Sequence, residues 1–257
     1  SSAASDVYKR QQYGPVYFRR PMTEHPGRRS GRKARTAGEP APSVSLEAKL
    51  KPSQSRAHQT FEAILAVSGE LLAEVGFERL STNLVCQRAG LTPPALYRYF
   101  PNKYAILSEL GRRLMDAQDR AVFDWIEAGG LVADSMDEAI AKNREIQETV
   151  NQITRDMPGG VWILRAMRAV PMLQDIRIAS RDKVARHTAE RLLEQYPASS
   201  TEEIYAATRI TTELMMAATE MVLEQPDADE ALVTQEVCRM VCLYYSQFAG
   251  GKTRYNL

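Results

Sequence analysis

The sequence has few cysteines, few aromatics and no long apolar run. Three cysteines in 257 residues are too few, and odd in number, for a disulfide framework, which fits a reducing compartment. No apolar stretch approaches the roughly 20 residues that span a bilayer. No basic-then-apolar leader pattern is present either, and the expected location is the cytoplasm. A glycine-rich phosphate loop, a nucleophile motif and paired carboxylates in a recognisable setting are all missing, so neither an enzyme nor a bound cofactor is expected. Metal-ligand spacing is absent too: His25 and His58 stand alone, His187 follows Val184 by three as a packed histidine would, and Cys86, Cys238 and Cys242 read as small buried apolar residues. Net charge is also nearly absent, with 33 Lys and Arg against 32 Asp and Glu. Near-neutrality looks unlike a nucleic-acid binder until the charges are placed along the chain.

They are strongly polarised. Residues 1–52 hold 11 basic and 4 acidic side chains, residues 53–110 hold 5 of each, and residues 111–257 hold 17 basic and 23 acidic. The first 52 residues also carry 6 of the 13 prolines and no apolar periodicity. Such a composition cannot offset its ordering entropy and predicts a disordered basic arm, either a solvated tail or a segment lying on DNA phosphates or in a minor groove. Within it, Asp6-Val7-Tyr8-Lys9-Arg10-Gln11 resembles the translation of a library-adapter sequence, so Met22 is the expected start of the natural frame.

From residue 53 onward the apolar period is helical. Phe61, Ile64, Leu65, Leu71, Leu72 and Val75 share one face, with Gly76 as a stop. Short helices are predicted over Ser81–Ala89 and Pro93–Phe100, and a long one from about Lys103 to Ala128. Others fall at about 133–156, 160–169, 173–196, 201–224 and 228–249, punctuated by Gly and Pro. No alternating strand pattern occurs. The expected fold is all-α with about nine helices.

Residues 81–100, STNLVCQRAGLTPPALYRYF, have the grammar of a helix-turn-helix. Val85, Ala89, Leu91, Leu96 and Phe100 are spaced to pack two short helices together, and Gly90 suits the tight turn. The outer face then displays Pro94, Ala95, Tyr97, Arg98 and Tyr99. The planar fork of Arg98 matches guanine O6 and N7, whereas Lys103 is a point charge suited to a phosphate.

The stretch from about Thr60 to Leu110 resembles the DNA-binding domain of the TetR family of bacterial transcription regulators. The residues that carry the likeness are Gly76-Phe77, Ser81-Thr82, Ala89-Gly90-Leu91-Thr92 and Leu96-Tyr97-Arg98-Tyr99-Phe100-Pro101-Asn102-Lys103. The resemblance implies phosphate contacts from Thr82, Thr92, Tyr99 and Lys103. It implies base-edge contacts from Ala95, Tyr97 and Arg98, and an apolar contact from Pro94. Two positions depart from the pattern: many members carry glycine where Pro94 stands and a polar residue where Leu84 stands.

The same resemblance implies three parts: residues 1–52 as the arm, 53–102 as the helix-turn-helix domain, and 103–257 as a ligand-binding and dimerisation domain. The expected function is a homodimeric repressor released from a palindromic double-stranded DNA operator by a small apolar or amphipathic effector. Leu214, Met221, Val237, Val241, Tyr244 and Phe248 are the expected dimer interface, because the last two helices are apolar on more than one face. Trp125, Trp162, Met167, Met172 and Met215 are the expected effector-pocket residues. The alternative from another class is a helical interaction protein whose helix-turn-helix contacts protein; steep salt dependence of DNA binding separates the two.

Overall fold

The structure is a computed structural model and describes residues 44–49 and 55–249. Of the expected arm, only residues 44–49 fall among them. The described residues contain nine α-helices and no strand: α1 Ser55–Arg79, α2 Thr82–Ala89, α3 Pro93–Tyr97, α4 Lys103–Glu127, α5 Met136–Asp156, α6 Gly160–Ala169, α7 Gln174–Gln195, α8 Thr201–Glu224 and α9 Glu230–Ser246. The all-α expectation holds. None of these helices is long and apolar enough to cross a membrane.

Capping sets the boundaries. Ser81, Asn102, Ser135, Ser200 and Asp229 each accept the backbone N–H three residues on, at the head of α2, α4, α5, α8 and α9. Each such cap is worth about 1 kcal/mol against alanine. Gly76 breaks α1 at φ 72°, as expected of a stop, although helical hydrogen bonding resumes as far as Arg79. The third helix is shorter than its apolar spacing predicts, ending at Tyr97 rather than Phe100. Pro101 disfavours helical geometry at Phe100. The chain there tightens, with the N–H groups of Tyr99 and Phe100 both turning to the Leu96 carbonyl.

One core joins the first three helices to the bundle behind them. Phe61, Ile64, Leu72, Val85, Leu96 and Phe100 are buried together with Ile106 and Leu114 of α4 and Ile163, Leu164 and Met167 of α6. Backbone comes close to backbone where α1 meets the α5–α6 turn. A Cβ at Gly159, whose φ is 73°, would sit 2.4 Å from the Gly69 carbonyl oxygen. Glycine is therefore needed at 159 both for conformation and for space. Two smaller clusters, one around Ile140, Val237 and Cys238 and one around Leu192 and Ile204, hold the far end together.

Candidate nucleic-acid interface

The α2–turn–α3 unit is built from short-range chemistry. Gly90 adopts φ 65° at the end of α2, and the N–H of Leu91 returns to the Cys86 carbonyl at 2.9 Å. That left-handed turn folds α3 back so that Leu96 and Phe100 meet Val85 in the core. The opposite side of α3 is left for solvent. Pro93, Pro94, Tyr97 and Arg98 are exposed there and Ala95 is half-buried. Tyr97 is 40% exposed, and its hydroxyl lies 3.0 Å from that of Thr82 on α2. The two hydroxyls form a polar edge across both helices.

Arg98 stands out among the cations of this domain. Arg88 is held bidentately by Glu74 at 2.8 Å, Arg79 donates to the Val75 carbonyl, and Arg113 grips Glu62. The Arg98 side chain is exposed and has no hydrogen-bond or ion-pair partner among the described residues. Its guanidinium remains free to pair with something outside the chain. Thr92 precedes α3 without capping it, so its hydroxyl is available too. The helix start itself is a poor anion site. Pro93 and Pro94 lack N–H groups, and those of Ala95 and Leu96 turn to the Thr92 carbonyl.

Two of the expected phosphate contacts are corrected. Tyr99 is 5% exposed, and its ring packs edge-on against Phe61 at 6.2 Å between centroids. It turns inward because it follows the buried Leu96 by three residues, which places it on the same face as Leu96 and Phe100. Lys103 uses its ammonium internally: it donates to the carbonyls of Phe77, Glu78 and Leu80 at 3.0, 3.3 and 3.1 Å. These are carbonyls at the C-terminal end of α1, where a positive charge is favoured by the helix dipole. All three ammonium hydrogens are then committed. A Lys103→Ala variant should lose about 1–3 kcal/mol of stability in thermal or urea denaturation. The slope of log affinity for DNA against log salt should not change.

Residues 44–49 form a contact that composition hides. The N–H of Lys49 donates to the Tyr99 carbonyl at 2.7 Å, Asn102 donates to the Ser45 carbonyl at 2.9 Å, and Arg112 to that of Leu46 at 3.3 Å. Leu46 and Ala48 pack on the core. A run of two small apolar residues among Glu and Lys gives no periodic signal, so no sequence pattern marks the anchor.

Behind this domain, α4, α5, α7 and α8 line a partly open cavity of about 110 Å³, to which Tyr245 and Val241 of α9 also contribute. Trp125 and Met215 line it as expected. Trp162, Met167 and Met172 do not: they belong to the core beneath the helix-turn-helix. Trp162 packs over Gly76 with the Arg165 guanidinium 4.7 Å above its ring, and Met167 is fully buried against Gly111. The wall is also more polar than expected, with Gln118, Asp119, Gln147, Arg181 and Thr211 among its residues. Arg181 is neutralised by Glu213 and Glu220. Glu220 and Glu224 in turn hold Arg168 at 2.6 and 2.7 Å, which ties α6, α7 and α8 together. The signal for this wall is visible in retrospect: Gln118-Asp119 and Gln147 fall on the inward faces of otherwise amphipathic helices.

The outer faces of α8 and α9 carry a second unsatisfied surface. Leu214, Met221 and Tyr244 are exposed as an interface requires, and Ile210 at 61%, Met240 at 54% and Leu243 at 40% join them. Val237 and Val241 are buried within the chain's own bundle, and Phe248 packs near Leu192 and Ile204. Val237 and Val241 are corrected as interface residues, whereas Phe248 is half-buried and also meets the exposed Tyr244 edge-on at 6.4 Å. The α9 helix is apolar on two sides, and periodicity alone does not say which side the chain itself covers. Cys238 and Cys242 lie inside the bundle, where burial pushes each thiol up to about 12, so both are inert at neutral pH.

Residues 64–110 match the sequence profile of the bacterial regulatory proteins of the tetR family. The chain is 41% identical over 54 residues to the tetracycline repressor protein class C of Escherichia coli, covering 21% of this chain and 25% of that repressor. The chain therefore matches a quarter of that relative's length. A TetR-family transcriptional regulator from Streptomyces coelicolor superposes with a TM-score of 0.51 at 20% identity, over 74% of this chain and 99% of its own. One from Mesorhizobium loti does so with a TM-score of 0.55 at 12% identity, over 76% and 98%. At those identities the superpositions establish the shared fold.

Proposed function

We propose that this chain, whose residues 64–110 match the bacterial regulatory proteins of the tetR family, is a homodimeric repressor released from a palindromic operator by a small molecule. The observation that carries the reading is the outer face of α3, where Arg98 is exposed and unpaired beside Tyr97 on a rigid helix-turn-helix. A buried scaffold that presents a free guanidinium on the outer face of α3 fits base-edge readout in a major groove. Of the other basic groups here, Arg79, Arg88 and Lys103 are paired within the chain, so recognition rests chiefly on placed residues. Selection of binding duplexes from a random library, followed by footprinting, tests this. Two protected half-sites about one helical turn apart are expected; recovery of no preferred sequence contradicts it.

The dimer reading rests on the exposed stripe of Ile210, Leu214 and Met221 on α8 beside Met240, Leu243 and Tyr244 on α9. Two copies packed through it would form a four-helix bundle and bury a patch too apolar to leave in water. A Leu214→Glu, Met240→Glu double variant should sediment as a monomer. Its operator affinity should fall by about 10²-fold or more as the second half-site contact is lost. A double variant that stays dimeric would place the interface elsewhere.

The effector reading rests on the cavity and on α4. This helix, capped by Asn102 just after α3, contributes Gln118, Asp119, Val122 and Trp125 to the cavity wall. A ligand that binds one tilt of α4 better than another shifts the population between operator-competent and incompetent dimers, and only that difference in affinity does so.

A further inference from the structure

We propose that the cavity takes a ligand bearing a protonated amine on an apolar body of roughly bicyclic size, and that Asp119 receives the amine. The proposal rests on the reading of this cavity as an effector site and specifies its chemistry. Asp119 lines the cavity from α4 and is 4% exposed. A buried carboxylate needs strong partners, because water no longer solvates it. This one has few. Ser180 donates to Oδ1 at 2.6 Å, and Lys183 approaches Oδ2 only to 3.5 Å with its own side chain 59% exposed. Lys183 is also drawn over the Phe123 ring at 4.9 Å. The other cation of the wall, Arg181, is committed to Glu213 and Glu220. A carboxylate can accept about four hydrogen bonds, so acceptor capacity on Asp119 is left unspent. Desolvation raises its pKa, against the opposing pull of Ser180 and Lys183.

The neutral polar groups of the wall point the same way. Gln118 spends its N–H on Thr154, Gln147 on Thr219 and the Met215 carbonyl, and Asn143 on the Ala139 carbonyl. Thr188 and Thr212 donate to carbonyls of their own helices. Many of the wall's donors are engaged by the protein, with Trp125 Nε1 and Arg181 Nε left unpaired, while the amide oxygens of Gln118, Gln147 and Asn143 have no protein donor. Those free amide oxygens, together with Asp119, complement a ligand that carries donors. The apolar remainder, including Val122, Trp125, Val150, Val184 and Met216, surrounds a body of modest size. A groove on the outer side of α4 and α7 shares Asp119 and Ser180 with the cavity. An amine arriving there meets the Asp119 carboxylate first and replaces the loosely held Lys183.

Three naphthalenes of matched body test the charge preference on the full chain: 2-naphthylmethylamine, 2-naphthylmethanol and 2-naphthoate. The chain has two tryptophans, so a Trp162→Phe background leaves Trp125 as a reporter in the cavity wall, with calorimetry alongside. The amine should bind about tenfold or more tighter than the alcohol, and the carboxylate weakest. Asp119→Asn should bring the amine down to the level of the alcohol. Lys183→Gln, at an exposed position, should raise amine affinity by freeing Asp119. Equal or tighter binding of the alcohol or carboxylate, or an amine preference that survives Asp119→Asn, overturns the proposal while leaving the cavity a ligand site. If none of the three changes Trp125 emission or gives heat at millimolar concentration, the effector reading of the cavity falls with it.

Discussion

Replacing Phe100 with alanine should cost about 3–5 kcal/mol of folding stability. Phe100 is fully buried and lies stacked on Phe61 at 4.9 Å, with an interplanar angle of 24°. It sits where α1, the end of α3 and the start of α4 converge, so removing its ring empties the centre of the DNA-facing domain. Collapse around the gap is resisted, because Leu96, Leu72 and Ile106 are themselves fully buried and interiors of this kind are close-packed. A loss of that size corresponds to a fall of roughly 6–20 °C in melting temperature for a chain of this length. Scanning calorimetry checks it. A shift of a degree or two would mean that Phe100 is not the keystone of the domain. Operator binding should be lost together with stability, since the geometry of α3 depends on this contact.

Replacing Arg98 with alanine should have the opposite profile: stability unchanged, operator affinity collapsed. The Arg98 side chain has no hydrogen-bond or ion-pair partner among the described residues, so the fold loses little when it is truncated. A bidentate arginine–guanine contact carries about 1–3 kcal/mol of discrimination. A dimer makes it twice, which compounds to a roughly 30-fold to 10⁴-fold loss of affinity. Specificity at one position in each half-site should relax with it. Electrophoretic or fluorescence titration against the selected operator and single-base variants measures both effects. Arg88→Ala is the control: it breaks an exposed pair with Glu74, worth little for stability, and should leave the sequence preference intact.

Much of the fold was legible because local chemistry and burial agree. Serine, asparagine and aspartate caps, glycine stops and 3-4 apolar spacing place nine helices within a few residues. The helix-turn-helix was legible for the same reason, since Val85, Gly90, Leu96 and Phe100 act over short sequence distances. The errors fall where a residue's environment is decided by distant chain. Lys103 reads as a surface charge, yet it reaches α1 carbonyls more than twenty residues away in sequence. Tyr99 groups in sequence with the outward Tyr97 and Arg98, yet it follows the buried Leu96 by three residues and its ring meets Phe61, 38 residues earlier in the sequence. Trp162 and Met167 read as pocket residues by size and softness, but α6 lies under the DNA-facing domain, where it shares its core. On α9, which side faces outward is decided by α5 and α8, and so Met240 and Leu243 are exposed while Val237 and Val241 are not.

The most direct measurement is a cycle that pairs one side chain with one base. Each guanine of the selected half-site is replaced in turn by 7-deazaguanine, which lacks the N7 acceptor, and affinity is measured for the native chain and for Arg98→Ala. If α3 reads the operator through Arg98, one guanine per half-site should cost the native chain about 1–3 kcal/mol and cost the variant nothing further. Losses that are the same in both proteins at every guanine would contradict readout by Arg98 and move the recognition face elsewhere.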